Sequence, residues 1–210
     1  MSVRPNPRRS ETSEHGLRPA SLEDAQLIQR IMAGHTEAYG ELVRKYQDRV
    51  FNTCWRICGH LEDARDLTQE AFLRAFENLR TFRRSSGFYT WIFRVAVNLT
   101  LSHRRNMLRK RTTSLDQAWE TSGTQAAALA WRAGRQTEGD DPPQAASDAE
   151  LHGRVVRALQ ELDDDHRAVV VLRDIEGLDY REIGEVLDIP AGTVKSRLHR
   201  ARMALRQAVL

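Results

Sequence analysis

Apolar residues in this 210-residue chain recur at steps of three and four, stretch after stretch, and no alternating strand–helix pattern interrupts them. The first stretch begins at Ser21, whose hydroxyl suits a helix N-cap with Asp24 in the capping-box position. Ala25, Ile28, Ile31 and Met32 follow at helical spacing, and Gly34 is a natural stop. A longer helix is expected from about Thr36 to Cys58 on Tyr39, Leu42, Val43, Tyr46, Val50, Cys54 and Ile57, ended by Gly59. The next segment opens with Glu62, Asp63 and Asp66, where carboxylates suit the positive end of a helix. Leu67, Ala71, Phe72, Ala75, Phe76 and Leu79 make its buried stripe. After a loop at Ser85, Ser86 and Gly87, a helix from about Phe88 to Leu108 carries Phe88, Ile92, Val95, Ala96 and Leu99 inward. Arg94, Asn98, Ser102 and Arg105 fall on a separate polar stripe of that helix.

From Thr112 to about Ser147 the periodicity dissolves into Ala, Gln, Gly and Asp, too long a stretch for an ordinary loop, so a linker is expected. Order resumes with Ser147 and Glu150 as a capping box ahead of Leu151, Val155, Ala158, Leu159 and Leu162. Asp164 or a neighbour caps the next helix, which carries Val169, Leu172 and Ile175 and stops at Gly177. Asp179 with Glu182 forms another capping box, flanked by Leu178 and Ile183 at the hydrophobic-staple positions. That helix ends near Leu187, a tight Asp-Ile-Pro turn follows, and a last helix begins near Ala191. Val194, Leu198, Ala201 and Leu205 point inward, leaving Lys195, Ser196, Arg197, His199, Arg200, Arg202 and Arg206 outside. Two short helices around a tight turn, the second cationic, outline a helix-turn-helix, with a plain basic hairpin as the other reading. The expected fold is therefore all-α, two small helical domains (21–111 and 148–210) joined by a flexible linker (112–147), after a disordered tail (1–20).

Charge sharpens this picture through its distribution rather than its sum, since the net charge is only +3. From Phe82 to Arg111 there is no acid at all, in a chain where 29% of residues are charged. That stretch interleaves eight cations, from Arg83 and Arg84 to Arg111, with Phe82, Phe88, Tyr89, Trp91 and Phe93. Cations suit phosphates and exposed aromatic faces suit unstacked bases. Phe88 and Trp91 read as core rather than as stacking platforms, while Tyr89 is undecided. The preceding segment turns the opposite way, offering Asp63, Asp66, Gln69, Glu70 and Glu77 on a face that is either solvated or a dock for a basic partner. No apolar run reaches the roughly 18 residues of a membrane span, and the N-terminus lacks the apolar centre of a secretory signal, so a cytoplasmic protein without membrane insertion is expected. Cys54 and Cys58 lie near His60, but no second pair of soft ligands accompanies them, and they read as core thiols with neither metal nor cofactor.

Together these residues resemble the extracytoplasmic-function (ECF) group of bacterial sigma factors, the initiation subunits of RNA polymerase. DARDLTQEAFLRAF resembles the segment that binds the polymerase core, and FRRSSGFYTWIFRVAVNLTLSHRR the segment that opens and reads the −10 element. LDYREIGEVLDIPAGTVKSRLHRARMALR resembles the −35 reader. The resemblance implies docking on core polymerase through Asp63, Asp66, Gln69 and Glu70. It implies melted −10 DNA against Arg83, Arg84, Ser85, Ser86 and Gly87 and against Arg94, Asn98, Ser102 and Arg105. At the −35 element it implies Lys195, Ser196, His199 and Arg200 at base edges, with Thr193, Arg197 and Arg202 at phosphates. An anti-sigma factor is a further partner expected from the family. His199 occupies a position that varies within the family, so no −35 sequence carries over.

This reading is non-enzymatic, and no glycine-rich phosphate loop, metal-spaced carboxylate pair or nucleophile–base arrangement argues otherwise. The alternatives are a stand-alone helix-turn-helix regulator, which lacks a recognisable receiver domain here, and a nucleic-acid-processing enzyme, which lacks a catalytic group.

Overall fold

The computed structural model describes residues 22–82, 87–113, 155 and 157–209. The expected tail, the Arg83–Ser86 part of the loop, most of the linker and the Ser147 capping box lie outside these residues. Among the described residues every regular element is helical. In chain order they are α1 (Leu22–Met32), α2 (Glu37–Cys58), α3 (Leu61–Glu77), α4 (Phe88–Thr113), a short α5 over 157–161, α6 (Asp164–Val170), α7 (Tyr180–Leu187) and α8 (Ala191–Val209). A 3-10 turn at Leu79–Thr81 follows α3, and one turn of π-helix at Val171–Ile175 extends α6.

Helices α2, α3 and α4 pack on one another, with α1 laid along α2. Their shared core is built from the anticipated stripes: Leu42, Val50, Cys54 and Ile57 of α2, Leu67, Ala71 and Phe72 of α3, and Phe88, Ile92 and Ala96 of α4 are all buried. Gly59 ends α2 in the left-handed conformation (φ 79°) and donates to Trp55 O at 2.7 Å, the usual way of closing a helix with glycine. Asp24, whose expected capping partner Ser21 lies outside the described residues, has a further role. It is buried, accepting from Tyr46 Oη at 2.5 Å and from Lys45 Nζ at 2.7 Å, so it ties α1 to α2. Phe76 ends its stripe on the surface, stacked against Tyr39 with ring centroids 4.9 Å apart.

In the C-terminal part, Leu159, Leu162, Val169 and Leu172 are buried as their spacing suggests, whereas Val155 and Ile175 are exposed. Ile175 lies in the π turn, whose five-residue hydrogen bond from Glu176 N to Val171 O shifts the helical register by which Ile175 was expected to face inward. Asp163, the neighbour of Asp164, caps α6 as expected of this pair, accepting from His166 N at 2.9 Å. The Asp179–Glu182 capping box is complete in both directions. Thr112 and Thr113, expected in the linker, instead extend α4.

The two helical groups sit against each other and share one continuous core. Helix α7 lies along α4, while α6 and its π turn lie against α2. Tyr89, Phe93 and Val97 form a second buried stripe on α4, one step round from the anticipated one. Glu176, 4% exposed, presents its carboxylate to α2 and α4, accepting from Thr53 Oγ1 at 2.9 Å and Arg49 Nε at 3.2 Å, with Tyr89 Oη at 3.1 Å from its carbonyl. Thr90 donates to Glu182 Oε1 at 3.2 Å and Asn98 to the Val186 carbonyl at 3.4 Å. Arg167, 1% exposed, donates to Ile57 O at 2.7 Å and to the carbonyls of Leu159, Gln160 and Leu162. Burial pulls its pKa down to about 10, still leaving the guanidinium charged at neutral pH.

Burial also raises the Cys58 thiol to about 12 and moves Cys54 in the same direction. An acid whose folded pKa lies above its unfolded value keeps its proton longer in the native state. Its stabilising contribution is complete below the unfolded value of 9.0 and is lost as pH climbs towards 12. In the native protein at pH 7.5, Ellman's reagent should find no reactive thiol, and two per chain should titrate once denaturant is added. Rapid native labelling of either cysteine would contradict the packing of α2.

Candidate nucleic-acid interface

The helix-turn-helix is set by local chemistry. Asp179 accepts from the amides of Arg181 and Glu182 at 2.8 Å each, starting α7, and Glu182 Oε2 in turn accepts from Asp179 N at 2.8 Å. At the other end Asp188 takes a left-handed conformation (φ 55°), one of the few non-glycine residues suited to it. The chain then doubles back so closely that a Cβ on Gly184 would stand 2.7 Å from the Ile189 carbonyl oxygen. Ile189 N donates to Gly184 O at 3.0 Å, fixing the turn, and Thr193 N donates to Pro190 O at 2.8 Å as α8 begins.

Helix α8 buries Val194, Leu198 and Ala201 and exposes Lys195, Ser196, His199, Arg200 and Arg202, while Thr193 and Arg197 are half-buried. Two of the cations are tethered within the domain. Arg197 pairs with Asp165 at 2.8 Å, and Arg202 pairs with Asp174, whose hydrogen bond holds the Arg202 pKa up. The outward face is left with Lys195 and Ser196 and, one helical turn further on, His199 and Arg200, the spacing at which a major-groove helix presents side chains to successive base edges.

On α4 the expected front stripe is present. Arg94, Asn98, Ser102 and Arg105 are all exposed, with Arg105 donating to Ser102 Oγ at 3.4 Å. Gly87 immediately precedes the helix and accepts from Trp91 N at 3.2 Å. Arg83, Arg84, Ser85 and Ser86 lie outside the described residues. The aromatic question is settled by packing: Trp91 stacks on Phe82 and Phe88 (centroids 5.2 and 5.8 Å), and Tyr89 is buried between Phe93 and the Arg49 guanidinium. Phe88 and Tyr89 are buried, and Trp91 is half-buried in the same cluster.

The four acidic-face residues of α3 do not behave alike. Asp66 and Gln69 are exposed, and Glu70 pairs with Arg74 on its own helix at 2.6 Å. Asp63 turns towards α4, with His103 Nε2 at 3.1 Å from its carboxylate, and so braces α3 against α4.

Sequence reasoning missed the Tyr89, Phe93 and Val97 stripe, together with Arg49, Glu176 and Arg167. For the stripe a signal existed, since these three residues recur at steps of four. For the charged residues none did, because their partners lie more than 100 positions away in several cases. The interface between the domains also leaves an open cavity of about 500 Å³ between Arg94 on one side and Arg181, Gly184, Asp188 and Pro190 on the other.

A cationic helix-turn-helix on a helical bundle with its own cation-lined helix is the architecture of a two-domain initiation factor of the sigma-70 class. Residues 42–111 match the Sigma-70 region 2 family, and residues 152–205 match the Sigma-70, region 4 family. The chain is 36% identical to the ECF RNA polymerase sigma factor SigW of Bacillus subtilis over 86% of its own length and 93% of that protein's. It is 34% identical to the ECF RNA polymerase sigma-E factor of Escherichia coli K12, covering 90% of the chain and 95% of that relative. Among solved structures it is similar in fold to the sigma factor RpoE bound to the anti-sigma factor NepR from Bartonella quintana (TM-score 0.60, 19% identity, 81% of this chain and 96% of that one). It is similar in the same way to CnrH in complex with the cytosolic domain of CnrY (TM-score 0.60, 23% identity, 88% and 96%). The chain belongs to the ECF sigma factors of RNA polymerase. It is a non-enzymatic subunit that directs the polymerase to promoters.

The turn geometry yields a direct test. Gly184→Ala places a methyl group against backbone, which cannot swing aside, so unfolding free energy should fall by about 1–3 kcal/mol. Chemical denaturation checks the loss, and an unchanged midpoint would mean that the turn is looser than described.

Proposed function

We propose a division of labour in which residues 21–111 dock on core polymerase and read the melted −10 strand, and residues 148–210 read the −35 duplex, with 112–147 as the linker between them. The observation that carries this reading is the face of α8. Lys195, Ser196, His199 and Arg200 are exposed together on the second helix of a helix-turn-helix, with no acid among them. In this reading Lys195, Ser196, His199 and Arg200 reach base edges, and Thr193, Arg197 and Arg202 serve phosphates. Arg197 and Arg202 would then exchange their carboxylate partners for phosphate oxygens when DNA arrives.

At the −10 element, Gly87 and the loop residues Arg83, Arg84, Ser85 and Ser86 lead the strand onto Arg94, Asn98, Ser102 and Arg105. A row of cations beside small polar groups suits a phosphate backbone with its bases turned out. Asp66 and Gln69, exposed on α3, form the centre of the core-polymerase contact, with Glu70 at its edge and Asp63 holding the helix in place. An anti-sigma factor is a further partner, a proposal supported by the similar fold solved with the anti-sigma factor NepR bound. The place of action is the cytoplasm, where the polymerase is; among the described residues no helix is long and apolar enough to cross a membrane.

In vitro transcription with purified core enzyme on genomic fragments, with mapping of start sites, tests the whole reading. Promoter-specific starts that need this chain are expected. A dimer that footprints a palindrome without polymerase would instead identify a stand-alone regulator. Asp66→Arg should abolish co-purification with core while circular dichroism and melting stay unchanged, and retained holoenzyme assembly would remove α3 from the contact. Arg200→Ala should cost about 1–3 kcal/mol at the −35 element and relax base preference at one position, whereas a uniform loss across sequences would mark a phosphate contact.

A further inference from the structure

Apolar packing brings α3 against α4, yet burial is non-directional and specifies a register less sharply than a hydrogen bond does. A directional contact between the two helices lies at one end. Asp63, in the first turn of α3, has His103 Nε2 of α4 at 3.1 Å from one carboxylate oxygen. His60 Nδ1, at the N-cap of α3, stands 3.6 Å from the other oxygen and accepts from the Asp63 amide at 3.4 Å. The next residue of α4, Arg104, donates to the Cys58 carbonyl at the end of α2 at 2.9 Å. Two consecutive residues of α4 therefore grip both arms of the α2–α3 corner. Arg104 spends its guanidinium on α2 and on Asp164, which leaves α3 to His103.

The place of this contact gives it a use. Asp63 precedes the exposed Asp66 by one turn along the same face of α3. His103 directly follows Ser102, at the far end of the row that begins with Arg94. The bond thus joins the start of the docking helix to the end of the reading row. From His103 back to Gly87, α4 runs for roughly 24 Å, so a tilt of about 3° at the contact would move the Gly87 end by roughly 1 Å. Such an offset is enough to spoil a hydrogen bond. We propose that His103 is a positioning residue for promoter opening: through Asp63 it sets the −10-reading helix on the polymerase-docking helix. Asp63 then serves the polymerase contact from within the protein and does not touch the polymerase. The inference rests on α3 as the dock and α4 as the −10 contact, and it adds the bond that carries the placement of one to the other.

The test uses the full chain, core enzyme and a promoter fragment taken from the mapped start sites. Core affinity is measured by competition with labelled wild-type chain, and opening by the permanganate reactivity of thymines at the −10 element. His103→Ala should keep core affinity within about twofold and lower opening by about tenfold, the scale of one hydrogen bond to a charged group. Asp63→Ala should do the same, and the double variant should be no worse than either single one. His103→Gln, whose side-chain amide can still donate, should recover opening to within about twofold of wild type. Both side chains are 32% exposed, so truncation leaves no buried group without a partner, and circular dichroism and melting verify the fold. Loss of core affinity on Asp63→Ala alone would make that residue a direct polymerase contact and overturn the proposal. So would additive losses in the double variant, unchanged opening in His103→Ala, or alanine variants that both fail to fold, which would mark the pair as structural. A wild-type chain that binds core but opens no promoter would refute the −10 reading and the positioning role with it. Wild-type opening that the variants match would overturn the positioning role alone.

Discussion

A helix that ends inside a protein leaves its last carbonyls without amide partners, and the end of α2 is where this chain meets that constraint. Trp55 O is taken by the Gly59 amide, Arg56 O by the Gln160 side chain at 3.0 Å, Ile57 O by Arg167 at 2.7 Å and Cys58 O by Arg104 at 2.9 Å. Three of the four donors are side chains from elsewhere in the fold, and two of them come from the C-terminal domain. The arrangement also answers the helix dipole, since the negative end of α2 receives two guanidinium groups. Arg167 does the same for the end of α5 by taking the carbonyls of Leu159, Gln160 and Leu162. One buried cation therefore joins two helix termini, with Asp164 at 3.3 Å as its counter-charge.

This explains why two groups of helices that could each hold a core are found with one. Their contact is anchored by desolvated charge at fixed points, Arg167 at one end and Glu176 at the other, with an apolar stripe between. Removing either partner of such a pair leaves a charge in a place without water, which costs several kcal/mol. Parting the domains as a whole carries no comparable penalty, because both partners return to solvent together. The same contacts can thus be unforgiving of point changes and permissive of opening.

What was legible in the residues was whatever is decided within one or two helical turns. The Asp179–Glu182 box, the stops at Gly34, Gly59 and Gly177, and the inward stripes of α2 and α8 depend on neighbours three or four positions away, and the structure has them where periodicity put them. That Asp24 also ties α1 to α2 was not legible, because its partners Tyr46 and Lys45 are over 20 positions away. Ile175 was misjudged because a π turn changes the register that the periodicity assumes. The stripe of Tyr89, Phe93 and Val97 was passed over because α4 is apolar on two sides. A helix with two apolar stripes has two neighbours, here the N-terminal bundle and α7. Of the candidate site, the outward face of α8 could be read directly, whereas the covering of α4 depends on pairings 80 to 130 positions apart that no local pattern encodes.

Glu182 shows how closely reading and covering are wired together. One of its oxygens closes the cap that starts α7, and the other accepts from Thr90 of α4. A carboxylate can accept on both sides at once, whereas an amide of the same shape has a single acceptor oxygen and an NH₂ that can only donate. The position consequently works as a two-input junction. One side chain thus serves both the start of α7 and its seating on α4, so the cap and the contact between the helical groups stand or fall together at this position.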